Sequence, residues 1–164
     1  MILKNLNKVF FFNSLIVLSI FLIDRLSKIY VIYLDEKLIG SEILSTKFLN
    51  INLIWNEGIA FGLFSFTEKT FYNFLTIIIL IIILVIFFMI FKNKGLKKYS
   101  LLMILGGALG NVYDRIATKA VPDFIDLHVG NFHWFIFNIA DIFITVGVIC
   151  LILAELLFKK DTNE

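Results

Sequence analysis

The chain has 164 residues, of which 60% are hydrophobic, with a mean hydropathy of +0.94 and a formal net charge of +2. This composition excludes a soluble globular domain, and the small net charge gives no reason to expect a nucleic acid partner. A single cysteine, Cys150, excludes a disulfide within the chain.

Four apolar segments are long enough to cross a bilayer, whose hydrocarbon core of about 30 Å needs roughly 20 helical residues. They are residues 9–34, 71–91, 96–116 and 134–158. The first has the basic start of a signal peptide, but it lacks a small-x-small cleavage site and continues through Asp24 and Arg25. We interpret it as a retained helix. The chain is therefore predicted to be an all-α membrane protein, with residues 1–164 as one domain and four transmembrane helices.

The connection between the first two helices, residues 35–69, has a different pattern. "FLNINLIW" alternates apolar and polar residues as a strand does, and "NEG" at 56–58 is typical of a turn. "IAFGLFSF", which follows, is apolar enough to rest on the bilayer surface. We expect a small extracytoplasmic β-platform between helices 1 and 2.

The second and third helices differ in polarity. The second is apolar on every face apart from Asn73 and Thr76, so we expect much of it to face lipid. The third carries Gly106, Gly107 and Gly110, a small-xxx-small face that is typical of close helix packing.

The connection at residues 117–133 contains the only proline, Pro122. Proline removes a backbone donor and disfavours helix for the residue before it, so this segment is predicted to be extended. Either Asp123 or Asp126 could be held beside the fourth helix. The histidines at 128 and 133 offer two metal ligands at most, without a cysteine partner, so we predict no metal site.

The fourth apolar run carries an amide and an acid, Asn138 and Asp141. An acid at membrane depth is costly and usually faces a protein interior, where it marks a site. Neighbours three or four apart share a helix face, so each helix offers one polar stripe. These stripes, all toward the same end of the helices, contain Asp24, Lys28, Asn111, Asp114, Arg115, Asn138 and Asp141.

Basic residues predict the orientation in the membrane. Four spans place both termini and the connection "KNKGLKK" on one side, where eight lysines face three acids. That side is cytoplasmic by the positive-inside rule, so the polar cluster lies near the outer face.

Two carboxyl groups held close together cannot both ionise cheaply, so such a pair can activate water and also protonate a carbonyl. This is the aspartic protease solution to amide hydrolysis. Cys150, about 13 Å deeper on the fourth helix than Asp141 and without a nearby histidine, is poorly placed as a nucleophile.

Five motifs in order carry a resemblance to a known family. They are "DRLSK" at 24–28, "WNEGIAFG" at 55–62, "GGALGNVYDR" at 106–115, "VPDFID" at 121–126 and "FNIAD" at 137–141. Together they resemble lipoprotein signal peptidase, also called signal peptidase II. The resemblance implies an aspartyl endopeptidase of the bacterial cytoplasmic membrane that cuts diacylglyceryl-modified prolipoproteins just before the lipidated cysteine. No cofactor is implied, and the expected partners are these substrates and membrane lipids, with the enzyme as a monomer.

The resemblance also implies roles for individual residues. Asp123 and Asp141 match the family's catalytic pair, whereas Asp126 does not. The same motifs imply that four residues bind substrate: Asn56, Asn111, Arg115 and Asn138. They imply that four others support the site: Asp24, Lys28, Gly58 and Asp114.

Four alternatives remain open from the residues themselves. Arg115 and Lys28 could extend to the lipid headgroups, and Asn56 could cap its turn rather than bind substrate. A four-helix transporter subunit would also use inward acids, although the inner halves of these helices have few ionisable groups. A non-catalytic membrane assembly factor would tolerate Asp141→Asn.

Overall fold

The structure, a computed structural model, describes residues 2–40, 42–58 and 69–157, with side chains from residue 8 in the first range and from residue 72 in the last. Within these ranges the chain is mostly helical and has one small antiparallel sheet. The elements in order are α1 (Ile2–Lys37), β1 (Leu44–Ser45), β2 (Leu49–Asn56), α2 (Lys69–Lys92), α3 (Gly95–Ala117), β3 (Val121–Val129), β4 (Phe132–Phe137) and α4 (Ile139–Leu157).

Three helices among the described residues are long and apolar enough to cross a membrane: Lys8–Lys37, Tyr72–Lys92 and Ile139–Leu157. Most of the α2 side chains are exposed on the protein surface, as predicted for a helix that faces lipid. Helix α3 is more polar and packs against the other three helices, so its neighbours shield much of its surface.

The glycine face of α3 is confirmed as a close-packing surface. A methyl group at Gly107 would lie 2.5 Å from the backbone oxygen of Ala140 in α4. One at Gly106 would lie 2.8 Å from Cβ of Ile20 in α1, and one at Gly110 would overlap the Asp24 carboxylate. The absence of side chains on this face therefore lets α1 and α4 approach α3 closely enough to place their polar groups together.

Gly107→Ala is expected to lower the free energy of unfolding by roughly 1–3 kcal/mol, because the added methyl group meets backbone that cannot move aside. Thermal unfolding in detergent would measure the change. Ile116→Ala, on the same helix at a position that is 56% exposed, is the control and should shift the midpoint little. Equal midpoints for Gly107→Ala and the wild type would contradict this packing.

The sheet has the order β1-β2-β3-β4, with every neighbouring pair antiparallel. Strand β2 confirms the strand predicted from "FLNINLIW". Strands β1 and β2 lie in the predicted platform segment, residues 35–69, but β3 and β4 come from the connection between α3 and α4, so the sheet extends beyond that segment. Pairing of β2 with β3 places Ile54 opposite Asp123 and Asn56 opposite Val121. The sheet thus brings two distant connections to one place.

The fourth helix begins later than predicted. Residues 134–137 belong to β4, and α4 starts only at Ile139. The run "FHWFIF" is aromatic and β-branched and pairs with β3, which favours strand over helix. The predictions for "IAFGLFSF" at 59–66 and for residue 158 fall outside the described residues.

Candidate active site

Asp123 lies on β3 and is only 3% exposed. Its Oδ1 accepts a hydrogen bond of 2.6 Å from the Asn138 side-chain amide. Its Oδ2 accepts one of 2.8 Å from the Asn56 side-chain amide, at the end of the neighbouring strand. Both oxygens are thus held by neutral donors that do not cancel the carboxylate charge.

Asp141 lies in the first turn of α4 and forms a capping box with Asn138. The backbone N–H of Asp141 donates to the Asn138 side-chain oxygen, and the backbone N–H of Asn138 donates to Oδ2 of Asp141, each at 3.1 Å. This reciprocal arrangement satisfies two backbone donors and fixes the start of the helix. Oδ1 of Asp141 accepts a further bond of 2.8 Å from the Asn111 amide. Asn138 therefore contacts both aspartates.

The three asparagines are held in one orientation by donors that bind their side-chain oxygens. The Gly58 N–H donates to Asn56 at 2.9 Å, and the Lys28 ammonium donates to Asn111 at 2.8 Å. Asn138 is held by the helix cap. Because each oxygen faces a donor, each NH₂ group must point toward an aspartate. Asn56 therefore caps its turn and contacts Asp123 at the same time.

Lys28 is completely buried, so it does not extend to the headgroups. Its ammonium donates to Asp24 at 2.9 Å, to Asn111 at 2.8 Å and to Asp114 at 2.8 Å. An ammonium has three N–H donors, so all of them are used. Lys28 thereby neutralises buried acids and orients the amide that contacts Asp141.

Two further contacts connect α1 to this cluster. Oδ1 of Asp24 accepts a bond of 3.0 Å from the Ala140 N–H, which ties α1 to the first turn of α4. The Arg25 guanidinium lies 2.6 Å from Asp114 and 4.8 Å from the centre of the Tyr113 ring. Arg25 was not among the predicted site residues, although it lies beside Asp24 in the motif "DRLSK".

Arg115 is 5% exposed and points into the protein rather than toward lipid. It donates to the backbone oxygens of Gly58 at 3.1 Å and of Asn111 at 3.3 Å. The contact with Gly58 connects the end of α3 to the turn that holds Asn56. The residues predicted for the site are thus brought together around Asp123 and Asp141.

Asp126 lies apart from this cluster. It is 3% exposed and lies 2.8 Å from Nδ1 of His133, whose ring stacks on His128 at 5.0 Å. This placement leaves Asp123 as the strand acid that shares a partner with Asp141. Among the described residues, no group of three or more histidine, cysteine or acidic side chains has the arrangement of a metal site.

Burial raises the pKa of Asp123 to about 6, and the nearby Asp141 carboxylate acts in the same direction. The hydrogen bonds from Asn56 and Asn138 lower the pKa and only partly offset burial. The folded protein therefore favours the protonated form of Asp123 more than an unfolded chain does. A carboxyl group with a pKa of about 6 can donate a proton when it is neutral and accept one when it is ionised.

This pKa predicts a pH-dependent stability. Folding raises the pKa of Asp123, so protonation of this group adds to the free energy of unfolding. That contribution is fully present below about pH 4 and is lost as pH rises through about 6. Relative to Asp123→Asn, the wild type should lose up to about 3 kcal/mol across this window. Unfolding midpoints of both proteins in detergent at several pH values would measure this. A pH-independent difference between them would contradict the raised pKa.

A family model described as Signal peptidase (SPase) II matches residues 16–157. The chain belongs to the signal peptidase II family. A lipoprotein signal peptidase of Pelagibacter ubique (strain HTCC1062) is 54% identical over 158 residues, which cover 96% of this chain and 95% of the relative. That of Anaplasma marginale (strain Florida) is 36% identical over 144 residues, covering 87% and 82% respectively.

A solved structure has the same fold. It is described as a bacterial membrane enzyme determined by the in meso method at 1.9 Å resolution. The two structures align with a TM-score of 0.73 and 34% sequence identity, over 92% of this chain and 94% of the other. The signal peptidase II family and this neighbour support a bacterial membrane protein with peptidase activity.

Proposed function

We propose that this protein is an aspartyl endopeptidase that removes the signal peptide from diacylglyceryl-modified bacterial prolipoproteins, cutting before the lipidated cysteine. The observation that carries the proposal is the shared contact of Asn138 with Asp123 and Asp141. Membership of the signal peptidase II family supports the reaction, and the lipoprotein signal peptidases related to this chain support the substrate class.

In the proposed mechanism, Asp123 and Asp141 share one proton. The ionised member takes a proton from water, and the neutral member donates a hydrogen bond to the scissile carbonyl as the water attacks. The resulting gem-diol collapses, and a proton passes to the leaving amine. The raised pKa of Asp123, about 6, supports a pair that holds a proton more tightly than an ordinary aspartate does.

The surrounding residues have positioning roles in this proposal. Asn56, Asn111 and Asn138 hold the two carboxyl groups, while Arg115 aligns the turn at Gly58 along which the substrate backbone would lie. Asp24, Lys28 and Asp114 support the asparagines from the protein interior. The lipid chains of the substrate remain in the bilayer between helices, and the enzyme acts as a monomer.

The proposed topology has four transmembrane helices in the cytoplasmic membrane, with both termini cytoplasmic and the aspartates near the outer face. An ion pair between Lys97 at the start of α3 and Glu155 near the end of α4 supports placing these ends on one side. The lysines near this end favour the cytoplasmic side. Helix α3 is the proposed fourth span, shielded by its neighbours.

The test is cleavage of a purified diacylglyceryl-modified prolipoprotein by the full chain in detergent, followed by mass spectrometry. We expect a new amino terminus at the lipidated cysteine, and no cleavage when the same prolipoprotein lacks the lipid. Binding without cleavage, or cleavage at another bond, would overturn the proposal. The former result would favour a non-catalytic assembly factor.

A further inference from the structure

A basic pocket lies at the end of the helices opposite to the two aspartates. It has a volume of about 470 Å³ and is formed by the start of α1 and the connection between α2 and α3. Three lysines, Lys8, Lys94 and Lys98, line it together with Tyr99. We define these residues as the basic pocket.

The charge of the basic pocket is not neutralised by any described acid. Ion pairs among the described residues include Lys97 with Glu155, but none involves Lys8, Lys94 or Lys98. The first turn of α3, which borders the pocket, has no acidic residue. Three ammonium groups around one cavity favour an anion.

An apolar groove adjoins the basic pocket. It has a volume of about 900 Å³ and lies between α1 and α2, which both pack on α3 rather than on each other. Asn13 lines both the pocket and the groove, so the two lie next to each other. The groove runs from Phe10 to Phe21 on α1 and from Leu102 to Ile116 on α3, about 16 Å and about 21 Å at 1.5 Å per residue, or half to two thirds of the hydrocarbon core.

The groove is separate from the site of the aspartates. On α3 it is lined by Leu102, Leu109 and Val112, which lie on the opposite face of the helix from Asn111 and Asp114. The groove and the polar cluster of the aspartates thus lie on different faces of α3.

We propose that the basic pocket and the groove together bind one anionic phospholipid. The phosphate headgroup lies among the three lysines, and the acyl chains lie in the groove. Basic pockets between transmembrane helices on the cytoplasmic side are suited to anionic headgroups. The adjoining groove is apolar and long enough for acyl chains, which favours a lipid over a free phosphate.

The experiment is native mass spectrometry of the full chain in detergent, titrated with phosphatidylglycerol or with phosphatidylcholine of the same acyl chains. The wild type should bind phosphatidylglycerol at least about tenfold more tightly. The variant K8Q/K94Q/K98Q should lose on the order of a hundredfold in this affinity. The control K37Q/K47Q/K119Q removes the same charge outside the pocket and should bind as the wild type does.

Three results would overturn the proposal. They are equal affinity of the wild type for the two lipids, unchanged phosphatidylglycerol binding by K8Q/K94Q/K98Q, and displacement of the lipid by glycerol 3-phosphate at equal concentration, which would indicate a free phosphate site. The first and third comparisons use only the wild type, so they decide the matter even if the variant does not fold. Binding of an apolar peptide or a second copy in place of the lipid would also contradict it.

Discussion

Asp123→Asn and Asp141→Asn are each expected to lower kcat for prolipoprotein cleavage by about 10³-fold or more, while the protein still folds and binds substrate. Each change removes a carboxyl group that takes up or donates a proton in the proposed reaction. The substitution nearly preserves shape, so the contacts of Asn138 and Asn111 are only partly lost. Single-turnover cleavage, with substrate binding measured in parallel, would give both quantities.

Asp126→Asn is the matched control for these variants. Asp126 is as buried as Asp123 on the same strand, but its partners are His133 and Asn50. We expect Asp126→Asn to retain kcat within a few-fold of wild type, because it does not contact either member of the pair. A wild-type rate for Asp123→Asn, or an equal loss in all three variants, would contradict the assignment of the pair.

Lys28→Met is expected to lower both stability and kcat. The change leaves Asp24 and Asp114 buried without the ammonium, at a cost of about 3–5 kcal/mol. It also releases the Asn111 side chain, which then no longer has to present its NH₂ group to Asp141. Thermal unfolding and steady-state kinetics would show a lower midpoint and a loss in kcat that exceeds any rise in KM.

Lys97→Met is the control for Lys28→Met. Lys97 pairs with Glu155, whose side chain is 67% exposed, at the other end of the helices. Such an exposed pair contributes about 0–1 kcal/mol, so this variant should behave nearly as wild type does. If Lys28→Met also kept the wild-type midpoint and rate, the buried cluster would have no positioning role.

The helices and one strand could be predicted from local patterns. The lengths of the apolar segments predicted both ends of α2 and α3 to within two residues. The alternation of apolar and polar residues predicted β2. The small face around Gly107 predicted close packing, which the structure confirms. These features depend on residues near each other in the chain.

The start of α4 could not be predicted from hydrophobicity, since an apolar aromatic run fits a strand and a buried helix equally well. Residues 132–137 form a strand because they pair with β3. Such a contact between strands cannot be recognised from the sequence of one strand alone. One local signal was missed. Asn138 followed three residues later by Asp141 has the spacing of a capping box, and it would have moved the start of the helix to residue 139.

The sequence brought most residues of the polar cluster to attention, apart from Arg25, but it did not predict their contacts. The motifs predicted Asp123, Asn56 and Asn111 as site residues. Spacing alone did not distinguish Asp123 from Asp126 as the partner of Asp141, and only the family resemblance did so. The three contacts of Lys28 join α1 to α3, and Arg25 extends the same network to Asp114. Such networks depend on helix packing, which a single sequence does not specify.

The central claim is that Asp123 and Asp141 act as one unit on the same water molecule. The most direct test is the residual cleavage rate of the double variant D123N/D141N compared with each single variant on the same prolipoprotein. Because removing either member should already disable the pair, we expect the double variant to be within about threefold of the slower single variant. Losses that multiply would instead show two independent contributions and contradict a shared-proton dyad.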